Sequence, residues 1–240
     1  MSKPNPYHPV SIVTGASRGI GSLLCEGLLK TGAVVYGLSR SGAGLDALVQ
    51  KESGEFIPNP IDITQPSEIE QFYTHLDENQ QTPAVLINNA GVGFYKHAEN
   101  LTLEEWRTMV ETNLTGTFLM TQAAIRRMKP HKVGTIVNMI SVAGRQPFRN
   151  GSGYAVTKYG LDGFTRVIRE ELRKFKIRVI GVYPGATNST WWDQIPGSEN
   201  LPREKMLPPE MVANAILNAL AQPADVVTEE IVIRSIHGNY

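Results

Sequence analysis

Two residues with complementary chemistry stand four positions apart in the segment "GSGYAVTKYG", residues 151–160: Tyr154 and Lys158. In a helix this spacing brings two side chains onto one face, a few ångströms apart. A phenol has an ordinary pKa of about 10 and stays protonated near neutral pH, whereas a neighbouring ammonium group favours the phenolate. The pair is therefore a candidate for proton transfer with a substrate; the alternative is a solvated helix face.

A glycine-rich turn is a second candidate site. The sequence "TGASRGIG", residues 14–21, follows an apolar run and leads directly into an amphipathic stretch. Gly15, Gly19 and Gly21 would allow a tight turn, a close approach of a pyrophosphate group to the backbone, and close packing of a helix on a strand. The helix N-terminus would then face the anion. Because this turn lies within a βαβ pattern, we interpret it as a dinucleotide-binding turn rather than a plain tight turn.

The end of the second apolar run indicates which dinucleotide is bound. An acidic residue there would hold a ribose 2′-hydroxyl, but the chain has Ser39 and Arg40 instead. An arginine fork suits a 2′-phosphate, and Arg18 in the glycine turn adds a second cation. The sequence therefore predicts NADP(H) in preference to NAD(H); the alternative is two solvated arginines.

Apolar, β-rich runs alternate with amphipathic stretches along the chain. The runs cover residues 9–15, 33–39, 84–91, 134–141, 177–185 and 229–235, and a weaker run at 55–62 contains two prolines, which suits an edge strand. The amphipathic stretches cover 19–31, 66–79, 103–128, 153–174 and 209–221. This alternation predicts an α/β fold, a doubly wound parallel sheet (Rossmann fold) of about seven strands with helices on both faces. Ligands of such sheets bind beyond the carboxyl ends of the strands.

The composition of the chain limits the classes of protein to which it can belong. The 240 residues are 41% hydrophobic and suit a single nucleotide-binding domain over residues 1–240. Lys plus Arg and Asp plus Glu number 23 each, so no overall charge attracts nucleic acid or acidic lipid. Apolar runs are too short to cross a membrane and the N-terminus does not resemble a secretory signal, so we expect a cytoplasmic protein. Cys25 is the only cysteine, and the histidines lack ligand spacing, so we expect no metal site.

Taken together, these residues resemble the short-chain dehydrogenase/reductase family, in its single-domain branch. Besides the glycine turn, "NNAG" (88–91) resembles the family's fourth-strand signature and "YPG" (183–185) its segment after the sixth strand. The order and approximate spacing of the family's catalytic set are matched by Asn113, Ser141, Tyr154 and Lys158. The chain departs from the family's common pattern by having Ser189 in place of a threonine and a single serine at 141.

The resemblance implies a role for each matched residue. Tyr154 would be the general acid or base and Ser141 would hold the substrate oxygen, while Lys158 would also bind the nicotinamide ribose. Asn113 would hold a water that relays protons, unless it only caps or kinks its helix. The implied cofactor-binding residues are Gly15, Ser17, Arg18, Gly19, Ile20, Gly21, Ser39, Arg40, Asp62, Ile63, Asn89, Ala90, Gly91, Tyr154, Lys158, Pro184, Gly185, Thr187 and Ser189.

The predicted function is therefore that of an NADP-dependent oxidoreductase that reduces a ketone or aldehyde to an alcohol, or catalyses the reverse. A 3-oxoacyl thioester reductase is one alternative, although no clear basic patch for an acyl carrier is evident. A non-catalytic NADP-sensing protein is another, and the intact Ser141, Tyr154 and Lys158 argue against it. Family resemblance also suggests a homodimer or homotetramer that forms through the helices at 103–128 and 153–174. The substrate is a small molecule that the sequence does not identify.

The longest irregular segment, residues 186–208, follows the sixth strand. We expect residues 188–207 to form a substrate loop that closes as a lid; the alternative is a static surface loop. Trp191 and Trp192 lie in it, one as packing and the other as a substrate wall. Four further residues flank other strand ends and are candidates for an apolar pocket: Phe94, Tyr95, Gln146 and Phe148.

Overall fold

The structure, a computed structural model, describes residues 9–46, 54–195 and 198–238. Seven strands are present in this part of the chain: β1 (Val10–Thr14), β2 (Val34–Ser39), β3 (Glu55–Pro60), β4 (Pro83–Asn88), β5 (Gly134–Met139), β6 (Ile177–Pro184) and β7 (Glu230–Ile233). The α-helices are α1 (Gly19–Leu29), α2 (Pro66–Glu78), α3 (Leu103–Val110), α4 (Thr117–His131), α5 (Ser152–Arg173) and α6 (Pro209–Leu220).

All seven strands join one parallel sheet in the order β3-β2-β1-β4-β5-β6-β7. The chain runs outward from β1 to β3, then returns to pair β4 with the other side of β1. This reversal opens a crevice beyond the carboxyl ends of β1 and β4, where doubly wound sheets bind their ligands. The predicted fold class is confirmed, and the proline-containing run is the edge strand β3, which pairs with β2 alone.

Apolar residues cover both faces of the sheet. One core cluster packs α2, α4 and α5 against strand residues such as Ile12 and Leu86. The other packs α1 and α6 against their neighbours Val13 and Ile87. Because successive strand residues point to opposite faces and both faces are covered, the strands read as continuous apolar runs. The layers hold the strand ends rigidly beneath the crevice.

The predicted helix at 103–128 is where the structure departs most from the sequence pattern. Its two parts, α3 and α4, are separated by a π-helical segment, Glu111–Gly116. A π-turn inserts one extra residue, whereas the spacing of apolar residues over 103–128 predicts one uninterrupted helix. The second part also continues through Pro130 to His131. None of the described helices is long and apolar enough to cross a membrane.

Candidate active site

The glycine turn after β1 brings backbone close to the crevice. Gly15 and Gly19 have φ values of +66° and +58°, which residues with a Cβ atom rarely adopt. A Cβ on Gly15 would lie 2.9 Å from the Ala90 Cα, and one on Gly21 would collide with the Gly15 carbonyl oxygen. Within the described chain no side chain caps the N-terminus of α1. Its N–H groups are therefore available to an anion at the turn.

Hydrogen bonds join the ends of β1 and β4 across the crevice. The Thr14 Oγ1 accepts from the backbone N–H groups of Asn89 and Ala90, both at 3.0 Å. In return, the Asn89 Nδ2 donates to the carbonyl oxygens of Thr14 and Gly15 at 3.1 Å. The Asn89 side chain thus braces the glycine turn. Residues 89–91, predicted as the end of the strand, instead leave the sheet and line the crevice.

The end of β2 has unsatisfied hydrogen-bonding capacity. The Ser39 Oγ is buried and has no hydrogen-bond partner among the described residues. Arg18 and Arg40 are exposed on the same cleft, and neither guanidinium is paired with another described residue. A buried hydroxyl, two unpaired cations and an uncapped helix terminus fit a phosphorylated ribose and a pyrophosphate. The residues present therefore fit an NADP-type dinucleotide.

Asp62 and Ile63 lie beside this end, because β3 pairs with β2 up to Ser39 and the Ile61 N–H donates to the Ser39 carbonyl oxygen at 3.0 Å. The Asp62 Oδ1 accepts from the Thr64 N–H at 2.9 Å and the Thr64 hydroxyl at 2.8 Å, while the Asp62 N–H donates to the Glu68 carboxylate at 2.7 Å. The Ile63 side chain is almost fully buried and packs close to Gly116. Both residues line the cleft, as predicted.

Lys158 is buried beneath the cleft, with 4% of its surface exposed. Its Nζ donates to the Met139 carbonyl oxygen at 2.7 Å and lies 5.5 Å from the centre of the Tyr154 ring. Burial lowers the pKa of Lys158 to about 8, because the ammonium ion loses hydration. This lysine can therefore exchange a proton near neutral pH.

Tyr154 faces the cleft one helical turn before Lys158. Burial raises the pKa of Tyr154 to about 12, and a hydrogen bond with Ser141 opposes this rise. The expectation that Lys158 lowers this pKa is not met in the structure, because burial dominates and the ammonium is itself desolvated and bound to a carbonyl. Tyr154 is thus protonated at neutral pH, as a proton donor must be.

Ser141 follows β5 in a strained conformation, with φ 145° and ψ 159°. Its Oγ accepts from the Ala143 N–H at 3.1 Å and lies 3.4 Å from the Pro184 carbonyl oxygen. These contacts fix the hydroxyl next to Tyr154. Strain of this kind persists only where surrounding structure imposes it, which is common at functional sites.

Asn113 lies in the π-helical segment and is fully buried. Its side chain binds both backbone groups of Val92, accepting from N–H and donating to C=O at 2.9 Å. Its Nδ2 also donates to the Thr157 hydroxyl at 3.0 Å, which in turn donates to the Tyr154 carbonyl at 2.8 Å. Asn113 therefore ties the loop after β4 to the helix that carries Tyr154. Its role in a proton relay stays a prediction.

The segment after β6 lies over the glycine turn. The Gly185 N–H donates to the Ile233 carbonyl at 2.8 Å, and the Thr187 hydroxyl donates to the Gly185 carbonyl at 3.0 Å. The Ser189 Cβ would contact a Cβ on Gly19 at 3.6 Å, which places the two segments face to face. This segment therefore forms the side of the cleft that faces the glycine turn.

Five aromatic rings cluster at the end of the cleft that contains Tyr154; we call Tyr95, Phe148, Trp191 and Trp192 the aromatic enclosure of Tyr154. The Tyr95 ring centre lies 5.6 Å from those of Phe148 and Tyr154, 5.7 Å from that of Trp191, and 5.9 Å from that of Trp192. Trp191 also lies 5.8 Å from Tyr154. Both tryptophans line the cleft, so neither is packing alone.

The cleft is continuous and has a volume of about 620 Å³. Of the predicted site residues, only Gly21 and Asn113 do not line it, because both lie directly behind its wall. Phe94 is also absent from the wall, whereas Gln146 is part of it. Wall residues that were not predicted are Leu38, Ser41, Ala43, Ile61, Val92, Thr112, Met139, Ile140, Val142, Ala143, Ala186 and Thr190. Each of these residues lies within a few positions of a predicted one, so extending every predicted segment by a few residues would have included them.

Titratable residues form no group suited to a metal ion in the described ranges: no three or more His, Cys, Asp or Glu side chains come together there. Cys25 is buried in the core, where burial raises the pKa of its thiol to about 12.

Fold and cleft together define a Rossmann-type nucleotide-binding protein. A family model described as short chain dehydrogenase matches residues 9–199. The chain therefore belongs to the short-chain dehydrogenase family, whose members are oxidoreductases.

Individual relatives resemble the chain over nearly its whole length. A sepiapterin reductase from Chlorobaculum tepidum is 30% identical over 240 residues, covering 96% of this chain and 97% of the relative. A 3-oxoacyl-[acyl-carrier-protein] reductase from Synechocystis is 33% identical over 223 residues, 90% of each chain. Among solved structures, an alcohol dehydrogenase from the archaeon Thermococcus sibiricus, complexed with 5-hydroxy-NADP, has a TM-score of 0.87 and 28% identity, covering 97% of this chain and 99% of that one.

Proposed function

We propose that the protein is an NADPH-dependent carbonyl reductase that converts a ketone or aldehyde to an alcohol, or catalyses the reverse. The observation that carries this proposal is the state of Tyr154. Tyr154 lines the cleft beside Ser141, and burial raises the pKa of its hydroxyl to about 12, so the phenol is protonated at neutral pH. A buried neutral phenol beside a second hydroxyl is suited to donate a proton to an oxygen that gains negative charge.

The nucleotide would lie along the crevice between β1 and β4. Its phosphates would meet the glycine turn and the α1 N-terminus, and its ribose would meet Ser39 and Arg40. When bound, the reduced nicotinamide supplies the hydride that adds to the carbonyl carbon. The remaining steps belong to side chains of the protein.

As the carbon–oxygen double bond accepts hydride at carbon, Tyr154 donates its hydroxyl proton to the oxygen, and the product is an alcohol. Ser141 holds the oxygen during this step. The phenolate left on Tyr154 then regains a proton from solvent. With a pKa of about 8, Lys158 is mostly protonated near neutral pH and can also pass a proton onward.

The choice of NADP(H) over NAD(H) is supported by three features of the β2 end. Arg40 and Arg18 are unpaired with other described residues, and Ser39 has a buried hydroxyl without a partner among them. A 2′-phosphate would satisfy these groups, whereas the ribose hydroxyl of NAD(H) would leave two cations unused. The Thermococcus sibiricus relative was solved with 5-hydroxy-NADP, which agrees with this choice.

A 3-oxoacyl thioester reductase is the second candidate, favoured by the 33% identity to the Synechocystis enzyme. The two functions differ in substrate, not in proton chemistry. Acetoacetyl-coenzyme A as substrate would distinguish them: turnover faster than with simple ketones would favour the second candidate. A protein that only senses NADP would bind the nucleotide and reduce neither class.

The test is the loss of NADPH absorbance in a panel of aldehydes, ketones and diketones. We expect turnover with the parent protein and a loss of about 100-fold or more in Tyr154→Phe, with NADPH affinity nearly unchanged. The matched control is Tyr159→Phe, since Tyr159 lies exposed on α5 and makes no hydrogen bond with a described residue. Retention of a tenth of the parent turnover by Tyr154→Phe would refute the assignment.

We also infer that the chain forms one NAD(P)-binding domain with residues 188–207 as its substrate loop, of which residues 196–197 lie outside the described part of the chain. It would act in the cytoplasm and assemble as a homodimer or homotetramer through the helices at 103–128 and 153–174. Support for assembly comes from Phe118 on α4 and Val167 on α5, which expose 43% and 57% of their surfaces. Light scattering coupled to size-exclusion chromatography tests this inference; a monomeric mass would contradict it.

A further inference from the structure

Ser141 has a backbone conformation that its surroundings must impose. Its φ of 145° and ψ of 159° lie in a region that is occupied almost only by glycine, so the residue would relax if its turn were free to move. The Ala143 and Gly144 N–H groups donate to Ser141, but these bonds lie within the turn and would move with it. The restraint is therefore expected in contacts between this turn and other elements.

Arg145 ends the turn and connects it to two strands of the sheet. Its guanidinium carbon lies 3.5 Å from the centre of the Tyr183 ring, which is fully buried in β6. Its Nη2 lies 2.6 Å from a carboxylate oxygen of Glu230, the first residue of β7. A planar guanidinium can stack on a ring and pair with a carboxylate at its edge, which the ammonium group of lysine does less well.

Further contacts close a ring of side chains behind the cleft wall. The Tyr183 hydroxyl donates to the Asp162 carboxylate at 2.5 Å, and Asp162 pairs with Arg166 at 3.0 Å. Arg166 also lies 3.4 Å from the other carboxylate oxygen of Glu230. The anchor ring, as we call it, consists of Arg145, Tyr183, Asp162, Arg166 and Glu230. Its two cations are balanced by its two carboxylates, and none of its members lines the described cleft.

The anchor ring lies next to two groups of the active site. Tyr183 is followed by Pro184, whose carbonyl oxygen lies 3.4 Å from the Ser141 Oγ. Asp162 lies one helical turn after Lys158 on α5. The ring therefore connects the strand end that contacts Ser141 with the helix that carries this lysine.

The partial exposure of the anchor ring indicates that it positions the turn more than it stabilises the fold. The side chains of Arg145 and Glu230 are 26% and 32% exposed, and ion pairs exposed in this way contribute little to folding stability. A guanidinium that stacks on a buried ring and pairs with a carboxylate nevertheless fixes the direction of its chain segment. Loss of Arg145 should thus leave the fold intact and release the turn.

We propose that Arg145 is a positioning residue: held by Tyr183 and Glu230, it keeps the turn after β5 in the strained conformation that presents Ser141 to the cleft. The kinetic part of this inference rests on the proposed carbonyl reduction, in which Ser141 holds the substrate oxygen. Arg145 lies outside the cleft wall and would touch neither nucleotide nor substrate. Its effect on turnover should therefore pass through the Ser141 hydroxyl.

The kinetic experiment measures Arg145→Met with and without the Ser141 hydroxyl. With saturating NADPH and the fastest carbonyl substrate of the panel, Arg145→Met should lower kcat by about tenfold and leave the Kd of NADPH within about twofold. In a Ser141→Ala background the same change should lower kcat by less than about twofold, because the hydroxyl that it positions is already absent. An equal loss in both backgrounds, or no loss in either, would overturn the proposal.

The matched control is Arg173→Met on the same helix. The Arg173 Nη2 lies 2.9 Å from both Glu170 and Glu229, so it also joins α5 to the chain before β7, but it makes no hydrogen bond or ion pair with the described turn after β5. This variant should change neither kcat nor the Kd of NADPH. Glu230→Gln leaves the Arg145 side chain in place and should lower kcat by about threefold, which tests the proposal if Arg145→Met folds poorly.

Hydrogen exchange tests the anchor ring without any turnover. The N–H groups of residues 143–146 donate to oxygens of Ser141 and Val142 at 3.0 to 3.1 Å. In Arg145→Met their exchange should become about tenfold faster or more, while residues 14–21 exchange as in the parent. Arg173→Met should change neither segment. Unchanged exchange in Arg145→Met would refute the anchor, whatever the kinetics show. Faster exchange in a protein whose parent has no carbonyl turnover would refute the proposed function alone.

Discussion

The two ends of the cleft are built by different means. The nucleotide end consists of backbone turns, braced by bonds such as those between Thr14 and Asn89, with charged groups at its rim. The substrate end consists of side-chain faces from three distant segments, represented by Tyr95, Phe148 and Trp191. A backbone cradle depends on a few adjacent residues, whereas an aromatic wall depends on how loops meet in three dimensions. The first end is therefore expected to tolerate little change and the second to set substrate choice.

The largest effect should come from damage to the backbone cradle. In Gly21→Ala the new Cβ would collide with the Gly15 carbonyl oxygen, and backbone cannot move aside easily. We expect NADPH affinity to fall by about 100-fold or more and the unfolding temperature to drop, because the turn must open.

The matched control is Gly163→Ala in α5, where nothing lies within 4 Å of the added Cβ. Alanine in an exposed helix should raise stability slightly, by about 0.5–1 kcal/mol. Calorimetry with NADPH and thermal unfolding measure both variants. Normal NADPH binding by Gly21→Ala would show that the cradle is less rigid than its contacts indicate.

A second, smaller effect concerns the choice of cofactor at the nucleotide end. Arg40→Asp replaces attraction for a 2′-phosphate by repulsion and supplies an acceptor for a ribose hydroxyl. The ratio of kcat/KM with NADPH to that with NADH should fall by about 100-fold. Lys132→Asp, at the exposed residue that follows α4 and outside the cleft, makes the same change in net charge and is the control. An unchanged ratio would transfer the role to Arg18 or make NAD(H) the true cofactor.

The contrast between the two ends also explains what the sequence could predict. Most nucleotide-end residues belong to short segments with a fixed local geometry, such as residues 14–21, so their spacing alone indicates their place. The edge position of β3 followed in the same way from its prolines. By contrast, Tyr95 and Phe148 lie 5.6 Å apart only because the loop after β4 is bonded to the start of α5, and no local pattern encodes such a contact.

Two other features needed the tertiary structure. The apolar spacing of residues 103–128 predicts one continuous helix. The structure instead has a π-helical segment at Asn113, whose side chain is bonded to Val92 in a loop that is distant in sequence, and local spacing does not encode that contact. The protonation of Tyr154 depends on how deeply it is buried, whereas sequence spacing showed only that Lys158 is near. The spacing of residues in the sequence predicts which side chains come together, whereas their burial in the folded protein determines which of them is protonated.

A third prediction concerns the loop at residues 188–207, which contributes Trp191 and Trp192 to the substrate end of the cleft. Arg203 ties its two halves together by donating to the Ser189 carbonyl at 3.1 Å and to the Asp193 carboxylate at 2.6 Å. Arg203→Ala should release Trp191 and raise KM for a carbonyl substrate by about tenfold, with NADPH affinity little changed. Lys205→Ala, exposed in the same turn, should have no effect.

Hydrogen exchange tests whether the same loop closes as a lid. With NADPH and a substrate analogue, protection of residues 189–195 should rise more than elsewhere in the parent and less in Arg203→Ala. Equal protection in every state would leave the loop a fixed wall. An Arg203→Ala variant that lost NADPH affinity as strongly as substrate affinity would show that the two ends are not independent.

The smallest expected effect is a pH dependence of stability at Lys158, where the two ends meet. Burial lowers its pKa from 10.5 to about 8, so between these values the unfolded chain binds more protons at this residue than the folded protein. Its contribution to the free energy of unfolding therefore rises with pH across this window, and below about pH 8 the folded protein carries the full cost of a buried charge.

In Lys158→Met that cost is absent, so the variant's unfolding free energy relative to the parent should be greatest near pH 7 and should decline towards pH 10. Subtracting parent from variant cancels Cys25 and the buried tyrosines, whose raised pKa values act in the opposite direction. Denaturant unfolding at several pH values measures this difference; a pH-independent difference would mean that Lys158 keeps an ordinary pKa in the folded protein.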